Sequence, residues 1–280
     1  MKYLIAGGDE RAVFAASALA EEGNGVAAFA LDRAALREGI RKVSAMETAD
    51  CVILPVPTES GNRGLLNAPF GEESVTAAEL LEKLPKNTLV CGGKISPRLK
   101  NAAKENDLRL VDIMQRPDFV TGNAAITAEA AIALLMQRTD YTLAGSSIMV
   151  VGFGRIGRIL SNKLNALGVN TCVMSRNGES RAMAEALGCK SLAPADKLPQ
   201  LDIVVNTSPA PVLTGLDRLC APCLILEVAS APGGIDAAEA QRLGHRYFAA
   251  PGLPGKYAPR TAGQLIAATV KSVVKEYENE

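Results

Sequence analysis

Ten short aliphatic runs punctuate the chain, and the stretches between them carry helical spacing. "YLIAG", "VAAFAL", "CVILPVP", "TLVCGG" and "RLVDIM" fall in the first part, and "SIMVVG", "NTCVMS", "DIVVNT", "CLILEVA" and "RYFAA" in the second. Strands that alternate with helices over this length build parallel sheets through right-handed crossovers, so each series predicts one sheet with helices on its faces. A chain of 280 residues has room for two such domains, each with its own core. With 48% hydrophobic residues, no tryptophan and few aromatics, packing rests on Ala, Val, Leu and Ile, which suits helix-covered parallel sheets. The expected class is α/β, with two doubly wound parallel sheets.

"NAAITAEAAIALLMQR", Asn123 to Arg138, is rich in helix formers and apolar nearly all round, and predicts a buried helix joining the domains. We expect a first domain over residues 1–118 and a second over 119–260. The tail puts Leu265, Ile266, Val270, Val273, Val274 and Tyr277 on one stripe of a helix over 261–280, which should dock on the first domain. Thirty basic residues balance thirty acidic ones, so the chain lacks the broad positive field that nucleic acid or an anionic membrane requires. The opening "MKYLIAGGDER" is too short for a signal-peptide core, and "ITAEAAIALLM", interrupted by Glu129, falls short of a membrane span. A cytoplasmic protein with reduced cysteines is expected, and the lone "CAPC" at Cys220 and Cys223 reads as packing, with no metal.

"GFGRIG" at 152–157 follows the strand "SIMVV" directly and opens a helix that stops at Gly168. In that context Gly152 permits the tight turn, Gly154 lets the backbone approach a pyrophosphate and Gly157 lets helix and strand pack closely. Gly152, Phe153, Gly154, Arg155, Ile156 and Gly157 are the expected cradle of a dinucleotide, and the domains become Rossmann-like. An acid that would hold the ribose of NAD is missing after the second strand, where Ser175 and Arg176 stand instead. Arg176 can pair with a 2′-phosphate, so NADP is the expected cofactor. Asn206, Thr207, Ser208 and Pro209, after a later strand, complete the cofactor side.

Ligands of parallel sheets gather beyond the carboxyl ends of the strands. In the first domain these ends offer Arg11, Thr58, Ser60, Arg63, Asn67, Lys94 and Arg116, a cationic and amide-lined rim suited to a small dianion. In the second they offer Ser230 and the segment "APGLPGKYAP", read as a preset loop that aims Lys256 at the ligand. The two-hydroxyacid dehydrogenases share such an architecture but need a histidine acid/base. His245 is the only histidine, and it precedes its strand, at the end remote from catalysis.

Taken in order, "GGDER", "LPVPTESGNRGLLNAPF", "NAAITAEAAI", "GFGRIG", "NTSPAPVL", "VASAPGGID" and "APGLPGKYAPRTAG" resemble the A-subunit family of dipicolinate synthases from spore-forming bacteria. Two positions depart from that pattern: Ala130 replaces an expected glycine and Glu227 an expected aspartate. The resemblance implies two Rossmann-like domains, NADP, and oxidation of a dihydrodipicolinate, derived from the lysine pathway, to dipicolinate during sporulation. It also implies a flavoprotein-like partner, the B subunit, while homo-oligomers stay open. On that basis two of Arg11, Arg63, Arg116 and Lys256 would clamp the carboxylates, with Asn67 and Ser230 orienting the ring, while Glu129 or Thr127 would relay the proton. Two alternatives stay open: another NADP-dependent dehydrogenase of a shikimate-like or keto acid, and a non-catalytic NADP-binding component of a complex.

Overall fold

The structure, a computed structural model, describes residues 1–279. It divides into two compact units: Met1–Asn123 together with the chain from Ala258 onward, and Ala124–Tyr257.

In the first unit the elements run β1 (Lys2–Ala6), α1 (Glu10–Glu21), β2 (Gly25–Phe29), β3 (Arg41–Val43), β4 (Cys51–Ile53), a small antiparallel hairpin β5 (Glu59–Ser60) and β6 (Leu65–Leu66), α2 (Ala77–Leu81), β7 (Leu89–Gly92), α3 (Pro97–Glu105) and β8 (Arg109–Asp112). Six parallel strands form one sheet in the order β3-β2-β1-β4-β7-β8. Its central strands alternate between two cores. Tyr3, Ile5, Cys51, Ile53 and Cys91 face one side, whereas Leu4, Ala6, Val52 and Val90 face the other. The second side is covered by Leu80, Leu81 and Leu99 of α2 and α3, and the first by α1 and by the returning C-terminal helix.

The second unit continues from helix α4 (Pro117–Arg138) through β9 (Ser147–Val151), α5 (Arg155–Ala166), β10 (Asn170–Met174), α6 (Gly178–Ala186), β11 (Lys190–Leu192), β12 (Ile203–Asn206), β13 (Leu224–Glu227), α7 (Ala237–Arg242), β14 (Arg246–Ala249) and α8 (Leu253–Tyr257). All six strands are again parallel, in the order β11-β10-β9-β12-β13-β14, and both sheets have the doubly wound Rossmann order. Ile148, Val150, Ile203 and Val205 pack under Leu160 and Leu164 of α5 and the later part of α4; Met149, Val151, Val204 and Ile225 build the opposite core.

Helix α4 is longer than the quoted apolar segment. Over its 22 residues it is long and apolar enough to cross a membrane by length and composition alone. Many of its apolar side chains have partners in the fold: Phe119 lies in a core of the first unit, and Ala128, Ala131, Ile132 and Leu135 in a core of the second, while Met136 is exposed. The segment "APGLPGKYAP" is also not a plain loop. Gly252 at φ +69° turns the chain into the short helix α8, where Leu253 and Pro254 are buried. Proline is tolerated in a first helical turn because its missing N–H has no partner there.

The C-terminal helix α9 (Pro259–Glu278) starts on a proline and lays Ile266, Val270, Val273 and Val274 into the first core, with Leu265 and Tyr277 half-buried against it. Each fully buried side chain contributes ~1.5–3 kcal/mol of transfer free energy, so burial outweighs any surface ion pair in holding the helix. Polar contacts set its register. Arg116 grips Glu276 with two parallel bonds of 2.7 and 2.8 Å and reaches Asp118 at 3.3 Å. Helix α9 approaches α1 at Gly263, where a methyl group would stand 2.5 Å from the Arg11 carbonyl oxygen and 2.6 Å from Phe14 Cβ.

Two outcomes follow. Alanine in place of a helical glycine gains ~1 kcal/mol of propensity, but the contact with α1 backbone costs ~1–3 kcal/mol in overpacking, so the net loss is up to ~2 kcal/mol and Gly263→Ala should lower Tm by up to roughly 4 °C in a thermal melt. The Arg116 hydrogen bond holds the Glu276 carboxyl below its ordinary 4.5. A depressed folded-state pKa stabilises fully above the unfolded value and loses its effect as pH falls through the folded one. Glu276→Gln should therefore melt slightly below wild type at neutral pH, and the two melting curves should converge as pH falls below the ordinary carboxylate range.

Candidate functional site

The turn from β9 into α5 lies where the order of the second sheet reverses, between β9 and β12, the position at which such sheets bind ligands. Gly152 sits at φ +91° and donates its N–H to the Met174 carbonyl at 2.9 Å. A methyl group on Gly157 would stand 2.2 Å from the Gly152 carbonyl oxygen, so only glycine lets α5 start this close to the strand end. Gly154 caps α5 without a side-chain hydrogen bond, and a methyl group there would meet nothing within 4 Å. The start of α5 thus has open space beside Gly154 and no side chain on its first-turn N–H groups, which is room a pyrophosphate needs. Phe153 is buried and Ile156 packs against a core, so these two shape the turn from behind, while Arg155 is exposed. Arg158, which the glycine pattern does not single out, donates to the Phe153 carbonyl at 3.1 Å and lies over the Phe153 ring.

At the end of β10 the Ser175 hydroxyl is buried and accepts from Asn177 N–H at 3.3 Å, while Arg176 is exposed. Arg181 ties this corner together, donating to the Ser175 and Arg176 carbonyls at 2.9 and 3.1 Å. Asn177 caps α6 by accepting from Ser180 N–H. No carboxylate stands at 175–177, and the first one beyond, Glu179, lies in the first turn of α6.

Beyond β12, the Thr207 hydroxyl donates to the Val151 carbonyl at 3.0 Å and joins this loop to the glycine turn. Ser208 is half-buried and Pro209 exposed. Asn206 corrects an expectation: it is fully buried, and its amide donates to Glu227 at 2.7 and 2.9 Å and to the Ser208 carbonyl at 2.8 Å. It shapes the cofactor side without facing a ligand. Ser230 is exposed on the loop after β13, and Lys256 is exposed on α8. His245 is buried at the amino end of β14, where Nδ1 accepts from Cys223 N–H at 3.2 Å. Burial pushes the neighbouring Cys223 thiol up to about 11. Among the described residues no group of three or more His, Cys, Asp or Glu is placed to hold a metal ion.

Glu129 is exposed and its carboxylate is paired with Lys163 at 2.7 Å, so it is not a carboxylate set apart to receive a proton. Thr127 is buried on the same helix.

In the first unit the sheet order reverses between β1 and β4, and Arg11 and Asn67 both hydrogen-bond the segment after β4, at the Val56 and Pro57 carbonyls. Asp9 caps α1, and the same carboxylate takes Arg11 Nε at 2.9 Å and Nη2 at 2.8 Å; Nη2 also reaches the Val56 carbonyl. The guanidinium is therefore fixed, with Nη1 unpartnered among the described residues. The Asn67 carbonyl accepts from Gly8 N–H at 2.8 Å, and its side chain donates to the Pro57 carbonyl at 3.1 Å. Thr58 is buried below, bonded to the Pro55 and Gly93 carbonyls. Asp112 collects the N–H groups of Lys94, Ile95 and Met114, which holds exposed Lys94 at φ +57°. Arg63 and Ser60 are exposed on the small hairpin. Arg116 departs from the expected rim, because Glu276 and Asp118 already occupy its guanidinium.

Comparison with known proteins agrees with this layout. Residues 2–114 match the family model for the N-terminal domain of the dipicolinate synthase A subunit, and residues 119–214 match that for the D-isomer specific 2-hydroxyacid dehydrogenase NAD binding domain. The dipicolinate synthase A subunit of Bacillus subtilis (strain 168) is 35% identical over 240 residues, 82% of this chain and 80% of that one. The crystal structure of the dipicolinate synthase A chain from Bacillus subtilis superposes with a TM-score of 0.86 at 30% identity, covering 100% of this chain and 97% of that one. The corresponding crystal structure from Bacillus halodurans gives 0.88 at 29% identity, over 98% and 97% of the respective chains. The glycine turn, the doubly wound sheets and these likenesses together lead to one conclusion: the chain belongs to the A-subunit family of dipicolinate synthases.

Proposed function

We propose that this chain, an oxidoreductase with a nicotinamide-dinucleotide domain, oxidises a dihydropyridine-2,6-dicarboxylate to pyridine-2,6-dicarboxylate with NADP, as the A subunit of a two-subunit synthase in the cytoplasm of sporulating cells. One observation carries the reading: open space above Gly154 at an uncapped helix start, beside a strand end that bears Ser175 and Arg176 and no acid. Arg181 supports the NADP assignment, since it fixes the Ser175–Arg176 backbone and leaves the Arg176 side chain free to meet a 2′-phosphate.

The nicotinamide, when bound, supplies the acceptor for the hydride. The protein's own task is to position the diacid, because loss of a hydride and a proton makes the ring aromatic and needs no potent base. On the first unit, Arg11 Nη1 and the Asn67 amide are our assigned contacts for a carboxylate. Asp9 and Val56 hold the guanidinium still, so little side-chain entropy is lost when a ligand arrives. On the second unit, Ser230 follows β13 and Lys256 stands on α8 after β14, both exposed. His245 is at the amino end of its strand and already accepts a backbone N–H, which argues against histidine-assisted alcohol oxidation.

The test is direct titration and turnover. NADPH binding, followed by its fluorescence, should be at least ~tenfold weaker in Arg176→Ala while NAD binding stays within about threefold, the difference one charge-assisted hydrogen bond makes. Gly154→Ala should melt like wild type, since its methyl meets no protein atom, yet bind NADPH more than ~tenfold worse. A general base contributes ~10²–10⁴ in rate, so turnover in Glu129→Gln within about threefold of wild type is the result expected from its pairing with Lys163. Absence of any NADPH affinity in the wild-type chain would remove the proposal.

A further inference from the structure

Glu227 ends β13 with its side chain 4% exposed, deeper than any other carboxylate among the described residues. Its hydrogen-bond partners are one side-chain amide and three backbone N–H groups. Oε1 accepts from Asn206 Nδ2 at 2.7 Å and from Ala229 N–H at 3.0 Å; Oε2 accepts from Asn206 Nδ2 at 2.9 Å, Gly234 N–H at 3.1 Å and Ile235 N–H at 3.2 Å. One carboxylate thus gathers two loops: the one after β12, through Asn206, and the one after β13, through three backbone N–H groups. The loops also touch directly. A methyl group on Gly234 would stand 2.5 Å from the Ser208 carbonyl oxygen, and one on Gly233, at φ +84°, would stand 3.0 Å from Glu227 Oε2.

We propose that Glu227 is a positioning residue for the reaction, fixing the Asn206–Pro209 loop and the Ser230–Gly234 loop against each other from behind. The proposal rests on the reading of the second unit as the nicotinamide-binding part. Glu227 does not touch ligand in this account; it sets where Ser230 and the Thr207–Ser208 backbone lie. A carboxylate suits the task because it presents two acceptor oxygens to four donor groups, whereas an amide would turn an NH₂ against N–H groups. The glycine turn and the Ser175–Arg176 corner, which would hold the rest of the dinucleotide, make no hydrogen bond to Glu227. Loss of Glu227 should therefore harm the chemical step more than nucleotide affinity.

The experiment compares wild type, Glu227→Gln and Glu227→Asp in the full chain, assayed with its partner subunit. Three quantities are read: NADPH affinity by fluorescence, kcat and KM for the diacid precursor, and amide hydrogen exchange over 229–235. In Glu227→Gln we expect kcat to fall roughly 10- to 100-fold, the effect of misplacing a site by about an ångström, with NADPH affinity within about threefold of wild type. Exchange at Gly234 and Ile235 should quicken at least ~tenfold while the β9 and β12 amides keep their protection. Glu227→Asp, which keeps the carboxylate but is one methylene shorter, should recover most of kcat and part of the protection. Unchanged kcat with unchanged exchange in both variants overturns the proposal, and so does a kcat loss matched by an equal loss of NADPH affinity and general deprotection. Should Glu227→Gln fail to fold, Glu227→Asp decides by exchange: quicker exchange at Gly234 and Ile235 with NADPH affinity kept supports the proposal, and exchange identical to wild type overturns it. A wild-type chain that ignores NADPH would count against the proposed cofactor alone, because loop exchange still reports what Glu227 holds.

Discussion

A parallel sheet in which successive residues of a strand face opposite cores must be covered on both sides, and that requirement organises the first unit. Helices α2 and α3 cover one face of its sheet. The other face packs Tyr3, Ile5, Cys51 and Ile53 in one core with α1, the first turns of α4 and helix α9. Helix α9 comes to it from the far end of the sequence. Its return costs a long loop closure, but the entropy of closure grows only slowly with length, and four buried aliphatic side chains exceed it. Gly263 then matters more than a helical glycine ordinarily does, because the two helices meet nearly backbone to backbone at that point.

The second unit solves the same covering problem within its own stretch of chain, and so its strand ends are available for chemistry. There the dominant device is close approach. Gly157 lies against the Gly152 carbonyl and Gly234 against the Ser208 carbonyl, at spacings a side chain would break, and Gly233 turns beside Glu227 at φ +84°, so three loops converge. Loops packed in this way present fixed dipoles. Fixed donors need little reorganisation when charge moves during a reaction, which is worth more than the same groups in mobile form.

Much of this was legible because it is periodic or punctuated. The central strands announce themselves by unbroken Val, Ile and Leu, the glycine turn by its place between strand and helix, and α9 by its stripe. The edge strands β3 and β11 escaped notice for a physical reason. They are three residues long, carry Arg41, Lys42 and Lys190, and pair on one side only, so they bear little apolar signal. The site was less legible than the fold, because a sequence gives residue types at strand ends without the partners that occupy them. Arg116 looked free until α9 returned to bring Glu276 to it, and Glu129 until α5 presented Lys163. Glu227 was visible only as a substitution for aspartate; the donors that surround it come from residues 206 to 235, and no local pattern reveals their convergence.

That convergence bears on how a chain with no net charge could meet an anion. Several of its cations are already matched: Arg11 by Asp9, Arg116 by Glu276 and Asp118, Lys163 by Glu129. Pairing does not make them useless. Arg11 keeps one nitrogen unpartnered while Asp9 holds the other two, so a diffuse charge becomes a single aimed donor pair. The uncapped turn of α5 does the same with backbone N–H groups, which bring partial positive charge at no cost in net charge. Recognition built from aimed donors reads shape as well as sign, since a ligand gains only where its oxygens coincide with the donors. A surface lysine cluster would attract any anion within a Debye length, whereas donors held in place favour an anion whose oxygens match their spacing.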